Sequence, residues 1–245
     1  MTPAFGAGGP SAGYRHFHEQ LADVKQRLLD MAGRAEALID LAVEALHERD
    51  AGKAHAVIDG DSELDTMEIE IEQQAVALLA LQQPMARDLR FIIGAIKVSS
   101  DLERVGDHAV NIAQATLRLV ETKAALPTGL EIDEMARRAR QMLGEALDAF
   151  IRGDGTLGRA VCRADDAVDR LMETAFRVLL THMMEHPPTI GPAIQHLLVA
   201  RNLERVADLA TNIGEDAVYL AEGKQIKHHF EALMEATGPA RGGRA

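Results

Sequence analysis

The chain is predicted to be all-α, folded as two tandem, pseudo-symmetric three-helix bundles, on three observations. Hydrophobic residues make up 47% of its 245 residues, yet aromatics supply only 3% and Trp is absent. That balance suits Ala- and Leu-packed helices better than sheets, which draw on aromatic and β-branched residues. Apolar residues recur every three or four positions along most of the chain, the rhythm of amphipathic helices. Finally, one phrase is written twice: Leu102-Glu103-Arg104-Val105-Gly106-Asp107 and Leu203-Glu204-Arg205-Val206-Ala207-Asp208, 101 residues apart, with Asn111-Ile112 and Asn212-Ile213 at matching offsets. An internal duplication follows.

The elements can be taken in order. Residues 1–14 open with Gly, Pro and Ala and are expected to be flexible. The first bundle is assigned to residues 15–126. Its first helix is expected from Phe17 to about Glu48, with Leu21, Val24, Leu28, Met31, Ala35, Leu38, Leu41, Ala42 and Ala45 inward. Asp50 and Gly52 interrupt the rhythm. A second helix runs from about Gly52 to Gln83, with a bend allowed at Gly60, and stops before Pro84 because a proline cannot continue it. Ile58, Leu64, Ile71, Val76 and Leu79 form its core face. The third, from Ala86 to about Lys123, turns Leu89, Ile92, Ile93, Ile96, Leu102, Val105, Ala109 and Ile112 inward.

Pro127 to Gly129 reads as a linker, and the second bundle is assigned to residues 130–236. It repeats the plan with helices from about Glu131 to Arg152, Gly155 to His186 and Pro192 to Glu222, the last ended by Gly223. A short amphipathic stretch to about Glu235 and a flexible tail, 237–245, complete the chain. Short connections make sequential helices antiparallel neighbours, hence bundles.

A formal net charge of -12 argues against a general attraction to nucleic acid or anionic lipid. No apolar run approaches the ~18–20 residues of a membrane span, so membrane association is expected only through partners. Cys162 is the single cysteine and no secretory leader is evident, which together point to the cytoplasm. Cys162 itself is expected to be a small buried residue.

The chemistry lies in paired carboxylates. Glu103 and Asp107, and again Glu204 and Asp208, stand one helical turn apart on a single face. Upstream, Asp61 and Asp65 precede the first pair, and Asp165 and Asp169 the second. Any one acidic pair on a helix is ordinarily a solvated surface feature. Four pairs in register with a duplication instead suggest two oxygen-rich patches suited to hard cations or iron. Arg104 and Arg205 fit either an ion pair to these carboxylates, support around a bound ion, or plain surface. Asn111 and Asn212, one turn further on, offer an amide oxygen to an ion or a bond across the bundle. His182 and His186 have the spacing of a two-His metal pair, but their place before Pro187 also suits a helix C-terminus.

The stretch Gln83-Pro84-Met85-Ala86-Arg87-Asp88-Leu89-Arg90, continued by Asp101 to Ile112, resembles the first half of the PhoU family, and Ala200 to Ile213 resembles its second half. The likeness covers roughly residues 15 to 230. It implies a PhoU-like pair of three-helix bundles whose acidic motifs bind multinuclear metal clusters. The implied ligands are Asp61, Asp65, Glu103 and Asp107 in one half and Asp165, Asp169, Glu204 and Asp208 in the other. The metal is left open among iron, zinc, manganese, magnesium and calcium. The resemblance further implies a negative regulator of phosphate uptake and phosphate-starvation signalling. Its expected partners are a phosphate-transporter ATPase (PstB-like) and a sensor histidine kinase (PhoR-like), its expected assembly a homodimer. Ala207 in place of Gly106, and Leu209 in place of His108, set the second copy apart.

Two other classes compete. A di-metal carboxylate enzyme on a helical bundle normally needs two Glu-x-x-His motifs; Gly106 and Ala207 stand where the histidines would be, and Glu44-Ala45-Leu46-His47 fits only once. A purely structural helical scaffold leaves the duplicated carboxylates unexplained. No phosphate-binding loop or nucleophile elbow is present in the sequence, so a binding protein, not an enzyme, is expected.

Overall fold

The computed structural model describes residues 12–82, 84–122 and 130–226. Six α-helices make up this part: α1 (Ala12–Glu48), α2 (Ala51–Gln82), α3 (Ala86–Leu119), α4 (Ile132–Arg152), α5 (Gly155–Glu185) and α6 (Ile190–Glu222). A single 3-10 turn, Pro187–Thr189, joins α5 to α6. Helix α1 packs on α2 and α3, and α4 on α5 and α6, so each half is a three-helix bundle. The bundles join mainly through α3 against α6, with α1 against α4 beside them, leaving α2 and α5 on the two outer flanks.

The duplication is visible in the helix starts. Asp50 Oδ1 accepts from the backbone N–H groups of Gly52 and Lys53 at 2.7 and 3.1 Å, and Asp154 Oδ1 accepts from Thr156 and Leu157 at 2.9 and 3.1 Å. Each aspartate thus satisfies donors that a helix N-terminus leaves without intrahelical partners. The preceding residue, Arg49 in one half and Gly153 in the other, turns the chain through positive φ, 52° and 65°.

Several boundaries move from those expected. Helix α1 begins at Ala12, so residues 12–14, expected to be flexible, are helical. Extending an existing helix fixes only one residue per bond gained, which favours such propagation. Helix α2 runs unbroken through Gly60. Helix α6 starts at Ile190, ahead of Pro192, because the missing N–H of a first-turn proline costs no helical bond. The other segments expected to be flexible, the stretch 227–235, Gln83 and the linker at 127–129 lie outside the described residues.

Leu28, Leu38, Leu64, Ile71, Ile92, Leu102 and Ile112 are among the largest fully buried side chains, and the core they belong to continues without a break into the second bundle. Phe91 and Phe150 stack with centroids 5.3 Å apart, joining α3 to α4, and a Cβ at Gly94 would meet the Phe150 ring at 2.6 Å. The α3–α6 pair is antiparallel: Arg90 donates to the Leu220 carbonyl, Lys97 pairs with Asp216 at 3.0 Å, His108 meets Asn202 at 2.9 Å, and Arg118 reaches Gln195. These rungs hold the two acidic phrases in register across the molecule's centre.

Three expected core residues face outward instead. Val76 is 53% exposed, and Leu89 and Ile93 are also exposed. Near its C-terminal end α2 carries Ile69, Ile71, Val76, Leu78, Leu79 and Leu81 around the helix, so periodicity alone cannot select the inward face; Ala75 and Leu78 take it. The same occurs in the second half, where Phe176, Leu180 and Met184 on α5 and Ile190, Ile194 and Leu198 on α6 are exposed at four-residue spacing. Both hairpin tips therefore present apolar side chains to solvent. No described helix is long and apolar enough to cross a membrane.

Candidate metal centre

In the first half, α2 delivers Asp61 and Asp65, and α3 delivers Glu103 and Asp107. The helices approach closely because position 106 is glycine: a Cβ there would lie 2.5 Å from both Asp61 Oδ1 and Leu64 Cδ1. Asp61 Oδ1 is buried without a hydrogen-bond partner. Burial raises the Asp61 carboxyl above its usual range, and the charges of Asp107 and Asp65 add to this. Glu103 is pushed up to about 7, first by burial, then by Asp107, Glu68, Asp65 and Asp61. Taking carboxylates out of water beside like charges disfavours ionisation, so both shifts report convergence. Glu68 was not anticipated. It lies seven residues beyond Asp61, two turns along the same face, a spacing visible in the sequence once that face is known.

The second half repeats the set with a tighter neighbourhood. Asp165 is 5% exposed, its Oδ1 has no hydrogen-bond partner, and neither has Glu204 Oε2. Burial lifts Asp165 to about 7, with Asp169, Asp208, Glu204 and Asp166 following in that order. Glu204 and Asp208 are likewise raised, chiefly by burial. Here Ala207 replaces Gly106, and Val168 stands where the first half has Leu64, so one methyl group moves from α5 to α6 at the helix crossing. The carboxylates line a cleft of about 420 Å³ together with Arg104, His108, Arg205, Thr211, Asn212 and Glu215.

Each set includes a buried aspartate oxygen without a hydrogen-bond partner, Asp61 Oδ1 in one and Asp165 Oδ1 in the other, the chemistry a hard cation would meet. Among the described residues no three such side chains stand close enough to form a ready-made cage. Holding an ion would therefore require the carboxylates to draw together, which their mutual repulsion opposes until a cation neutralises it.

The other residues singled out by sequence take varied places. Arg104 pairs with Asp101 at 3.3 Å and lines the cleft of the other half. Arg205 lines the same cleft. Asn212 lines the second-half cleft, whereas Asn111 is exposed. His182 and His186 meet edge to face, centroids 4.8 Å apart, and the N–H of His186 caps α5 on the His182 carbonyl. Glu44 pairs with Lys53 and His47 with Asp133, so the lone Glu-x-x-His faces neither carboxylate set. Cys162 is buried, its thiol pushed up to about 11 by that burial.

Comparison with known proteins agrees with this architecture. The family model described as PhoU domain matches twice, over residues 28–116 and 132–217. A phosphate-specific transport system accessory protein PhoU homolog of Pseudomonas putida is 38% identical over 214 residues, covering 87% of this chain and 84% of its own. The homolog of Aquifex aeolicus is 39% identical over 210 residues, covering 86% and 95%. Crystal structures of PhoU from Pseudomonas aeruginosa (40% identity, 85% of this chain and all of that one) and of the phosphate transport system regulatory protein PhoU from Streptococcus pneumoniae (29%, 86% and 99%) superpose with TM-scores of 0.80 each. Two matched domains, each spanning one three-helix bundle, and identity extending over most of the chain establish that this protein belongs to the PhoU family.

Proposed function

We propose that this chain is a metal-dependent adaptor, without turnover of its own, that represses phosphate uptake and phosphate-starvation signalling. Relatives named as accessory proteins of a phosphate transport system support the setting. The observation that carries the metal reading is Asp165: a carboxylate 5% exposed, with an unpartnered oxygen, set among Asp169, Glu204 and Asp208. An ionisable group so placed is costly unless it holds something cationic.

In this reading Asp61, Asp65, Glu103 and Asp107 hold cations in one half, and Asp165, Asp169, Glu204 and Asp208 in the other, as a multinuclear cluster in each. The ions cross-link α2 to α3 and α5 to α6, and so rigidify both hairpins. The exposed apolar side chains at the hairpin tips, Phe176, Leu180 and Met184 among them, supply surface for a partner, since a contiguous apolar patch seldom stays bare. The partners are the transporter ATPase and the phosphate-sensing kinase, the assembly a homodimer, and the compartment the cytoplasm.

Elemental analysis of protein purified without chelator tests the metal, and co-purification with the transporter ATPase tests the adaptor. Replacing Glu103 and Asp107 together by Ala should remove the first half's metal and leave most of the second's. Unchanged metal in that variant contradicts the site. A gene deletion that leaves phosphate-responsive expression unchanged contradicts the regulatory role.

A further inference from the structure

The second-half cleft is chemically mixed in a way that cation binding alone does not use. Arg104 from α3 and Arg205 from α6 both line it, with His108 between them in sequence and held to Asn202 at 2.9 Å. Arg205 makes no ion pair with any described residue, and Arg104 has only Asp101 at 3.3 Å. At about 420 Å³ the cleft also exceeds what a bare ion requires and falls in the range of small-molecule sites, roughly 300–1,000 Å³. Its lining offers no Phe, Tyr or Trp ring, and Leu209 is the one large apolar side chain. A nucleobase or sugar face would find little there to stack on.

We propose that, once cations occupy the second half, its cleft binds a small inorganic tetrahedral oxyanion, bridged between those cations and the guanidinium groups of Arg104 and Arg205. The inference rests on the metal reading above. Without cations, the carboxylates of Asp165, Asp169, Glu204 and Asp208 repel an anion; with them, the field reverses and two forked donors stand ready for its oxygens. Because Arg104 belongs to the first half and Arg205 to the second, the anion also ties α3 to α6 across the bundle contact. The first half lacks this arrangement. The shifts of Asp61 and Glu103 come from burial and neighbouring carboxylates, whereas Glu204 and Asp208 also sense Arg201 and Arg205. Binding is accordingly confined to the second half, with one anion per chain.

The test measures binding of inorganic phosphate to the full chain by equilibrium dialysis, with the protein loaded with Mg²⁺ or Mn²⁺ or stripped by chelator, and metal content assayed on the same samples. The expected result is one phosphate per metal-loaded chain, none on the stripped chain, and loss of about tenfold or more in affinity for Arg104→Gln and for Arg205→Gln at unchanged metal content. Sulfate should compete; ATP should bind no better than phosphate. Metal retained by the second half with no phosphate bound overturns this proposal and leaves the adaptor reading intact. Failure of the second half to hold metal overturns both. Phosphate bound equally by the stripped chain, or by the arginine variants, overturns the bridged geometry.

Discussion

Leu64 on α2 packs its Cδ1 where a Cβ on Gly106 of α3 would stand, 2.5 Å from that position, and this contact sets how near the two helices of the first acidic site can come. At the equivalent positions the second half carries Val168 and Ala207, both fully buried. Gly106→Ala alone should therefore cost about 1–3 kcal/mol, as overpacked sites do. Leu64→Val alone leaves a small void, at about 0.5–1.5 kcal/mol. The double variant recreates the second-half solution and should be more stable than the sum of the two losses implies. A double-mutant cycle by urea unfolding checks this, and strict additivity would refute the complementary exchange.

The capping aspartates should be equivalent despite their different settings. Asp50→Ala and Asp154→Ala are each expected to destabilise by about 1 kcal/mol, a fall of roughly 2–4 °C in Tm for a chain of this size. Both caps serve two backbone donors from one oxygen. An unchanged Tm in either variant would show that water replaces the cap without loss.

Helices α5 and α6 pack tightly at Gly158, where an added Cβ would meet the Gly214 carbonyl oxygen at 2.6 Å. Backbone cannot swing aside as a side chain can. Gly158→Ala should cost about 1–3 kcal/mol and, by separating the helices that carry Asp165 and Glu204, weaken cation binding in the second half more than in the first. Metal titration of the variant reads this; equal weakening of both halves would count against it.

Stability of the metal-free chain should fall as pH rises. Glu103 and Asp165 titrate near 7 when folded, against about 4 for carboxyls in an unfolded chain. Between those values the folded state holds more protons, so the stability present at low pH is lost as pH climbs through 7. Calorimetry in chelator from about pH 5.5 to 8 should show Tm falling more steeply for the natural chain than for Glu103→Gln/Asp165→Asn, which leaves the opposing contribution of the depressed His108 and His196 in place. Saturating cation should reverse the slope, because the ion requires the carboxylates deprotonated. Equal pH dependence of Tm in the natural chain and in that double variant would show these carboxyls to be unburdened.

Residue order alone determined a good deal about this protein. Six helices, their order and the two-bundle plan were legible, because three-and-four periodicity over thirty residues and a phrase repeated at fixed offset are local signals. The acidic pairs were legible for the same reason: Glu103 and Asp107 share a face in any α-helix. What only the tertiary structure decided concerns relations between helices. Val76, Leu89 and Ile93 are as apolar as their buried neighbours, and they are exposed because, among the described residues, no helix covers the hairpin tips. Arg104 sits in the first phrase yet lines the second half's cleft, because α3 and α6 run antiparallel side by side. Glu68 and Asp61 both act on Glu103 because glycine at 106 lets α2 close on α3. Periodicity specifies which face of a helix is apolar; which neighbour covers that face, and how closely, depends on side-chain volumes meeting across the contact, and no single helix encodes that.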